Sequence, residues 1–166
     1  MGSDGWDNAS FVASQHTGLV RAALLLTADE ASAQDLAQET VIKVLQHPRR
    51  VAAAADPVAY TRRIMLNLFL AGRRRRWSGE VAHAEPPQPG VDGAFGAVED
   101  RDLLRRALRT LPPRQRAAVL LRHYEQRPEA EAAALMGCSV GNIKSLASRG
   151  MASLREALRA ESQELA

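Results

Sequence analysis

Arginine clustering is the feature of this sequence that carries the clearest chemistry. Only two of its 22 basic residues are lysines. Four consecutive arginines are followed directly by a tryptophan, and these residues are Arg73, Arg74, Arg75, Arg76 and Trp77. Guanidinium groups suit phosphates and base edges, so this bias favours a nucleic-acid ligand. A solvated helix end explains one or two such charges, because adjacent like charges repel. The cluster therefore predicts either such an end or, with Tyr60 and Phe69 as stacking surfaces, a site for unpaired DNA.

A second set of polar side chains lies in the last third of the chain. Pro128 opens a short apolar helix, Gly137 supplies a left-handed turn, and Ser139 is placed to cap the next helix. This spacing predicts a helix-turn-helix, with an ordinary three-helix bundle as the alternative. Side chains that face outward from the second helix can bond base edges or phosphates. Together with Ser139 they form the predicted DNA-binding set, which is Asn142, Lys144, Ser145, Ser148 and Arg149.

A third polar group forms one face of a helix that Asp29 is expected to cap. The opposite face is a core stripe with helical spacing, composed of Ala33, Leu36, Ala37, Thr40, Val41 and Val44. The polar face carries Asp35, Gln38, Glu39 and Ile42. A solvated surface explains such polarity, but an exposed isoleucine among short polar groups favours a contact with another protein.

The elements that position these groups are helices in two small domains. Residues 81–100 carry four acidic and no basic side chains, and the segment around them is rich in proline and glycine. We therefore expect a flexible acidic linker over residues 78–97, between domains at residues 1–77 and 98–166. Apolar residues recur at three- and four-residue steps on both sides, which predicts an all-α fold. In the helix from about Pro57 to Arg76, the expected buried row is Tyr60, Ile64, Leu68 and Ala71, with Arg62 and Arg63 outside it.

Composition excludes several other classes of protein. No run approaches the roughly 18 apolar residues of a membrane helix, and the N-terminus lacks the pattern of a signal peptide, so we expect a cytoplasmic protein without membrane insertion. A single cysteine, Cys138, and four scattered histidines predict no structural metal. The sequence also lacks a glycine-rich phosphate loop and a credible Cys–His or Ser–His site. We therefore predict neither enzymatic activity nor a cofactor.

These segments resemble the sigma-70 family of RNA polymerase sigma factors. The run from Asp35 to Glu39 resembles region 2.2, and Asp56 to Asn67, with the arginine cluster, is similar to regions 2.3 and 2.4. Two further runs, 111–116 and 137–145, resemble region 4. Two lobes without region 1.1 or a region 3 domain are similar to the extracytoplasmic-function group, and the Ala- and Arg-rich style to its actinobacterial SigE-type branch.

The resemblance implies a sigma factor that binds core RNA polymerase and directs promoter-specific initiation. It implies that Asp35, Gln38, Glu39 and Ile42 dock on the beta-prime clamp helices, and that the beta flap is a further contact. It places the remaining residues on promoter DNA. Those for the minus-ten element are Arg49, Arg50, Tyr60, Arg63 and Asn67 with the arginine cluster and Trp77. Those for the minus-thirty-five element are Asn142, Lys144, Ser145 and Arg149. It also makes an anti-sigma factor a candidate partner. Departures from the usual family residues are Leu146, Gly150, Pro128 and the run 70–72.

A linker of about 20 residues reaches at most about 65–70 Å, close to two turns of B-DNA at roughly 34–36 Å each. Two lobes could therefore contact two promoter elements at once. The alternative is a stand-alone helix-turn-helix transcriptional regulator, which would need only the C-terminal lobe. That alternative leaves the polar face and the arginine cluster of the N-terminal lobe without a role.

Overall fold

The computed structural model describes residues 5–76 and 98–166, with side chains for residues 5–72 and 99–166. We call these two parts the N-terminal lobe and the C-terminal lobe. The first contains α1 (Asn8–Thr27), α2 (Glu30–Gln46), α3 (Pro48–Ala53) and α4 (Pro57–Arg76). The second contains α5 (Val98–Arg109), α6 (Pro113–Val119), a π-helical segment (Leu120–Tyr124), α7 (Glu129–Met136) and α8 (Val140–Glu164). Both lobes are helical throughout their regular structure, which confirms the predicted all-α class.

The helix boundaries are set by local side-chain chemistry. The Asp29 carboxylate accepts a hydrogen bond from the Ser32 backbone N–H at 2.9 Å, and that of Asp56 accepts one from Ala59 N–H at 3.0 Å. Each bond satisfies an amide that has no partner in the first helical turn. Both caps lie where the sequence predicts them. Between them, α1 ends at Ala28, a non-glycine residue with a left-handed φ of 55°.

The core of the N-terminal lobe is the contact between α1 and α2, which α4 completes. On α2 the buried residues are Ala33, Leu36, Ala37, Thr40 and Val44, as the helical stripe predicts, and Val41 is half-buried. The Thr40 hydroxyl donates to Leu36 O at 2.8 Å, which lets a polar side chain lie in this stripe without an unpaired group.

The connection between α2 and α4 differs from the prediction. The sequence analysis places Arg49 and Arg50 in a loop, but they lie within the six-residue helix α3. Pro48 ends α2 and then occupies the first position of α3, where its missing N–H costs nothing. Val51 is fully buried and holds α3 in place.

The predicted buried row of α4 is wrong. Ala71 is exposed, and Tyr60, Ile64 and Leu68 are only half-buried. The buried residues of α4 are instead Thr61, Arg62, Met65, Leu66 and Phe69. The reason is that α4 packs against α2 on one side and against the C-terminal lobe on the other. Its buried face therefore points toward both neighbours, and a row deduced for an isolated lobe misses it.

In the C-terminal lobe, α8 packs against α6, α5 and α7. Gly150 is buried where α8 crosses α6, and a Cβ atom at this position would lie 2.7 Å from Val119 Cγ2 and 3.0 Å from Gln115 O. This close approach explains the glycine at a position where alanine was expected. Leu146 is half-buried against the core, which accounts for an apolar residue at that point of the second helix.

Candidate nucleic-acid and polymerase interfaces

The turn between α7 and α8 has the geometry of a helix-turn-helix. Gly137 adopts a left-handed φ of 62°, and the Cys138 N–H donates to Ala133 O at 3.0 Å, which closes the end of α7. Ser139 Oγ then accepts from the Asn142 N–H at 3.1 Å and begins α8. Inward from this turn, Ile143 and Ala147 are buried. The predicted motif is therefore present, with the inward side chains as expected.

The opposite side of α8 is open to solvent. Asn142, Lys144, Ser148 and Arg149 are exposed, Ser139 is exposed at the cap, and Ser145 is half-buried. Because Ser139 Oγ already accepts an amide hydrogen bond, its main part here is to position the helix start, although its hydroxyl can still donate. The first three turns of α8 thus present amide, ammonium, hydroxyl and guanidinium groups on one surface, the inventory that reads duplex DNA.

One acidic residue lies beside this surface and was not singled out by the sequence analysis. Glu129, at the start of α7, has Oε2 3.4 Å from Lys144 Nζ and Oε1 3.7 Å from Arg122 Nη2. The carboxylate therefore neutralises part of the positive charge near the recognition surface. The sequence signal was indirect, since Glu129 and Lys144 come together only through the turn between α7 and α8.

A nearby histidine is surrounded by positive charge. Burial lowers the pKa of His123 below its ordinary value of 6.5, and the guanidinium groups of Arg122 and Arg155 lower it further. The imidazole is therefore held in its neutral form more strongly than in a free chain.

The predicted polymerase-docking residues lie together on α2. Asp35, Gln38, Glu39 and Ile42 are all exposed, on the face opposite the core stripe. Ile42 is 48% exposed, and so is Leu45, one turn further along. Two large apolar side chains open to solvent on a polar helix are typical of a protein contact. Sequence reasoning missed Leu45, although its spacing of three residues from Ile42 is the signal that could have found it.

The predicted minus-ten residues fall into three groups. Arg49 and Arg50 are exposed on α3, while Arg63 and Asn67 are exposed on α4 beside the half-buried Tyr60. Phe69 is not available for stacking on bases, because it is buried and the Arg116 guanidinium lies 5.6 Å from its ring centroid. The side chains of Arg73, Arg74, Arg75 and Arg76, together with Trp77 and the predicted linker at residues 78–97, lie outside the described residues.

Arg62, next to the exposed Arg63, has a different environment. Its Nε lies 2.5 Å from Glu125 Oε1, with side-chain exposures of 9% and 12%. The contact is a close charge pair rather than a well-aligned hydrogen bond. Burial lowers the pKa of the Arg62 guanidinium, and the Glu125 carboxylate opposes part of that shift. Arg62 therefore joins the two lobes and does not contribute to the outer surface.

Two further searches concern the described residues alone. Their histidine, cysteine, aspartate and glutamate side chains form no group of three or more that could hold a metal ion. Within the same residues, no helix has the length and apolar character needed to cross a membrane.

Fold and exposed surfaces together define a helix-turn-helix DNA-binding protein with a second helical lobe. Residues 11–79 match the family model described as Sigma-70 region 2, and residues 101–154 match Sigma-70, region 4. The RNA polymerase sigma-E factor of Streptomyces avermitilis is 37% identical over 155 residues, which cover 93% of this chain and 86% of that protein. The chain belongs to the sigma-70 family, in its extracytoplasmic-function group of RNA polymerase sigma factors.

Other comparisons agree with this assignment. The ECF RNA polymerase sigma factor SigL of Mycobacterium tuberculosis is 30% identical over 146 residues, covering 85% of this chain and 82% of that one. Among solved structures, the sigma factor RpoE in complex with the anti-sigma factor NepR from Bartonella quintana is similar with a TM-score of 0.74. It is 25% identical and covers 91% of this chain and 96% of its own. The protein binds core RNA polymerase and directs transcription initiation at promoters.

Proposed function

We propose that the exposed face of α2 is the surface that binds the polymerase, at the beta-prime clamp helices. The docking face consists of Asp35, Gln38, Glu39, Ile42 and Leu45. Support comes from the two half-exposed apolar side chains among polar neighbours, since their burial against a partner would be favourable. The C-terminal lobe makes a second contact in this proposal, with the beta flap.

The N-terminal lobe recognises and holds open the minus-ten element. Arg49 and Arg50 on α3 lie at the loop-side end of α4, where a flipped base of the non-template strand would bind. Tyr60, Arg63 and Asn67 then line that strand along α4, and the arginine cluster with Trp77 extends the same path. No hydrolysis by this chain is needed, because trapping unstacked bases selects the melted state thermodynamically.

The C-terminal lobe recognises the minus-thirty-five element as duplex DNA. The exposed surface of α8, with Asn142, Lys144, Ser145, Ser148 and Arg149, enters the major groove with its N-terminal turn leading. Ser139 fixes that turn through its cap. Two modest affinities on one chain add through effective concentration, so the linker at residues 78–97 makes the pair of elements a stronger target than either alone.

The same assignment gives the protein its surroundings. Polymerase and promoter DNA lie in the bacterial cytoplasm, which is where we propose that the chain acts, without catalysing a reaction of its own. Because its solved structural relative was determined with an anti-sigma factor, a protein of that kind is also a proposed partner of this chain.

The observation that carries this proposal is the division of exposed chemistry between the two lobes, with apolar groups on α2 and groups that bind DNA on α8. Transcription in vitro with purified core polymerase across a genomic promoter library tests it. We expect run-off products from a small set of promoters that share two upstream elements. Polymerase-independent binding of the C-terminal lobe's target, with no run-off product from any promoter, would favour the stand-alone regulator instead.

A further inference from the structure

The two lobes of the described chain share one hydrophobic core. One cluster of buried residues contains Met65, Leu66 and Phe69 of α4 together with Leu121 of the π-helical segment and Ile143 of α8. These residues come from opposite sides of the predicted linker. The face of α4 that the sequence analysis misassigned is therefore covered by the C-terminal lobe.

Charged groups fix the register of this contact. Glu125, in the turn before α7, pairs with Arg62 across the lobes and also accepts from Arg127 Nε at 2.8 Å within its own lobe. The turn that carries Glu125 is held by a 2.8 Å hydrogen bond from the Arg127 N–H to Leu121 O. Arg62 thus meets a carboxylate that is already positioned before the lobes come together.

A second group of contacts lies at the far end of the interface. Arg109 of α5 donates from Nε to Ala28 O at 3.1 Å, at the C-terminal end of α1. Arg105, one turn earlier, forms an ion pair with Glu30 at the start of α2. Because the last carbonyls of a helix lack partners within the helix, the Arg109 bond satisfies a group that would otherwise need water. We call the set Arg62, Phe69, Arg105, Arg109, Arg116 and Glu125 the lobe interface.

This packing sets a short distance between the two DNA-binding helices. α4 contacts α7, and α7 contacts α8. Packed helix axes are about 8–10 Å apart, so α4 and α8 lie within about 20 Å of each other. Two promoter elements separated by about two turns of B-DNA are roughly 70 Å apart. The packed form therefore cannot bind both elements of one straight duplex at the same time.

We propose that the lobe interface is a self-masking contact of the free chain, in which the C-terminal lobe occupies the inner face of α4 and must leave it before both promoter elements can be bound. The proposal rests on the assignment of one promoter element to each lobe. Polymerase binding opens the chain by holding the lobes apart, and the interface delays promoter binding until then.

The chemistry of the interface suits a contact that opens. A buried ion pair loses much of its Coulomb attraction to desolvation, and both partners regain water when the lobes separate. Arg62 and Glu125 therefore specify the register of the closed form at little cost to opening. Most of the attraction comes from the apolar side chains around Phe69 and Leu121, which another protein surface could replace.

Zero-length cross-linking of the full chain tests the closed form directly. The chain has two lysines, and Lys144 lies 3.4 Å from Glu129 within one lobe, so a carbodiimide should join these two in any folded molecule. In the Arg62→Lys variant we expect a second amide between the introduced lysine and Glu125, found by mass spectrometry in monomeric protein. The wild-type chain is the matched control, since it has no amine at position 62.

Addition of core polymerase completes this experiment. If binding shifts the chain to an open form, the yield of the link from position 62 to Glu125 falls about tenfold or more, while the Lys144 to Glu129 link persists. Absence of the first link from the free chain, or an undiminished link in the holoenzyme, would overturn the proposal. Both readings need no promoter, so they are independent of whether the lobes recognise the elements assigned above.

A charge reversal tests the part played by the ion pair. A compact chain of 166 residues has a radius of gyration of about 15 Å, and Arg62→Glu, which places two carboxylates together, should increase the value measured by small-angle scattering. The double change Arg62→Glu with Glu125→Arg should return it toward the wild-type value. Arg159→Glu, an equal charge change at an exposed position of α8, is the control. An unchanged radius in Arg62→Glu, with helix content retained by circular dichroism, would contradict this role.

Discussion

The carboxylate of Glu129 lies 3.4 Å from the ammonium group of Lys144, across the turn of the helix-turn-helix. Both side chains are largely exposed, so the pair contributes about 0–1 kcal/mol at most. Its consequence is functional: a negative charge lies next to a side chain assigned to DNA. The carboxylate must give up Lys144 when a phosphate or base takes its place.

Glu129→Gln should strengthen binding to duplex DNA of any sequence, because it removes a charge that repels phosphates and frees Lys144. We expect a gain of less than about tenfold at low salt and a salt slope steeper by up to about one unit. Fluorescence anisotropy across a salt series measures both. Glu156→Gln, an exposed change on the same helix as Lys144, is the control; an equal gain there would mean that net charge alone is responsible.

Asn142 and Arg149 should have separable effects on promoter binding. Asn142 lies in the first turn of α8, where an amide can bond adenine through two hydrogen bonds, so Asn142→Ala should cost about 1–3 kcal/mol and relax one upstream position. Arg149→Ala should weaken binding to all sequences alike and lower the salt slope by about one unit. Salt titrations with matched and base-substituted upstream elements distinguish the two. Exchanged phenotypes would show that α8 is oriented differently on DNA.

Gln38→Ala combined with Ile42→Asp should abolish binding to core polymerase. The change places a charge in the centre of the docking face, while the free energy of unfolding should change by no more than about 0.5 kcal/mol because both positions are exposed. Native gel shift with core polymerase provides the measurement. Leu165→Asp is the matched control, since Leu165 is 70% exposed at the other end of the chain. Native affinity in the double variant would move the docking face elsewhere.

Gly150→Ala should destabilise the protein, although alanine is the better helix former. The new Cβ would lie 2.7 Å from Val119 Cγ2, and overpacking of about 1–3 kcal/mol exceeds the helix gain of at most about 1 kcal/mol. Gly18→Ala is the control, because nothing lies within 4 Å of a Cβ at that position of α1, so it should stabilise. Denaturant unfolding of both variants decides the matter. An increase in stability for Gly150→Ala would mean that α6 and α8 can separate freely.

His123 should titrate below pH 6.5 in the folded protein, since burial and two guanidinium groups disfavour its charged form. A lowered pKa means that the unfolded chain binds the proton more readily, so this residue's contribution to stability is present above pH 6.5 and lost as the pH falls through the folded value. Proton NMR gives the midpoint. Arg155→Gln should raise it, whereas Arg159→Gln, one turn further along α8, should not. A midpoint at or above 6.5 in the wild type would contradict this environment.

Local chemistry made much of this protein readable before its structure. The caps at Asp29, Asp56 and Ser139 and the turn at Gly137 depend on residues only a few positions apart, and all four are present. The polar face of α2 was also predicted, because a helix fixes which residues share a side. Gly150 and Glu129 escaped notice, since their partners on α6 and α8 are distant along the chain.

The amino-acid sequence by itself determined the helices, their caps, the helix-turn-helix and the two sets of exposed polar residues, because each depends on interactions within a few residues. Only the tertiary structure decided between two adjacent arginines: Arg62 is 7% exposed at the lobe interface, while Arg63 faces solvent. Neighbouring positions on a helix point about 100° apart, so the choice depends on where the other lobe lies. That position is set by packing between segments far apart in the chain, which the periodicity of either lobe does not contain.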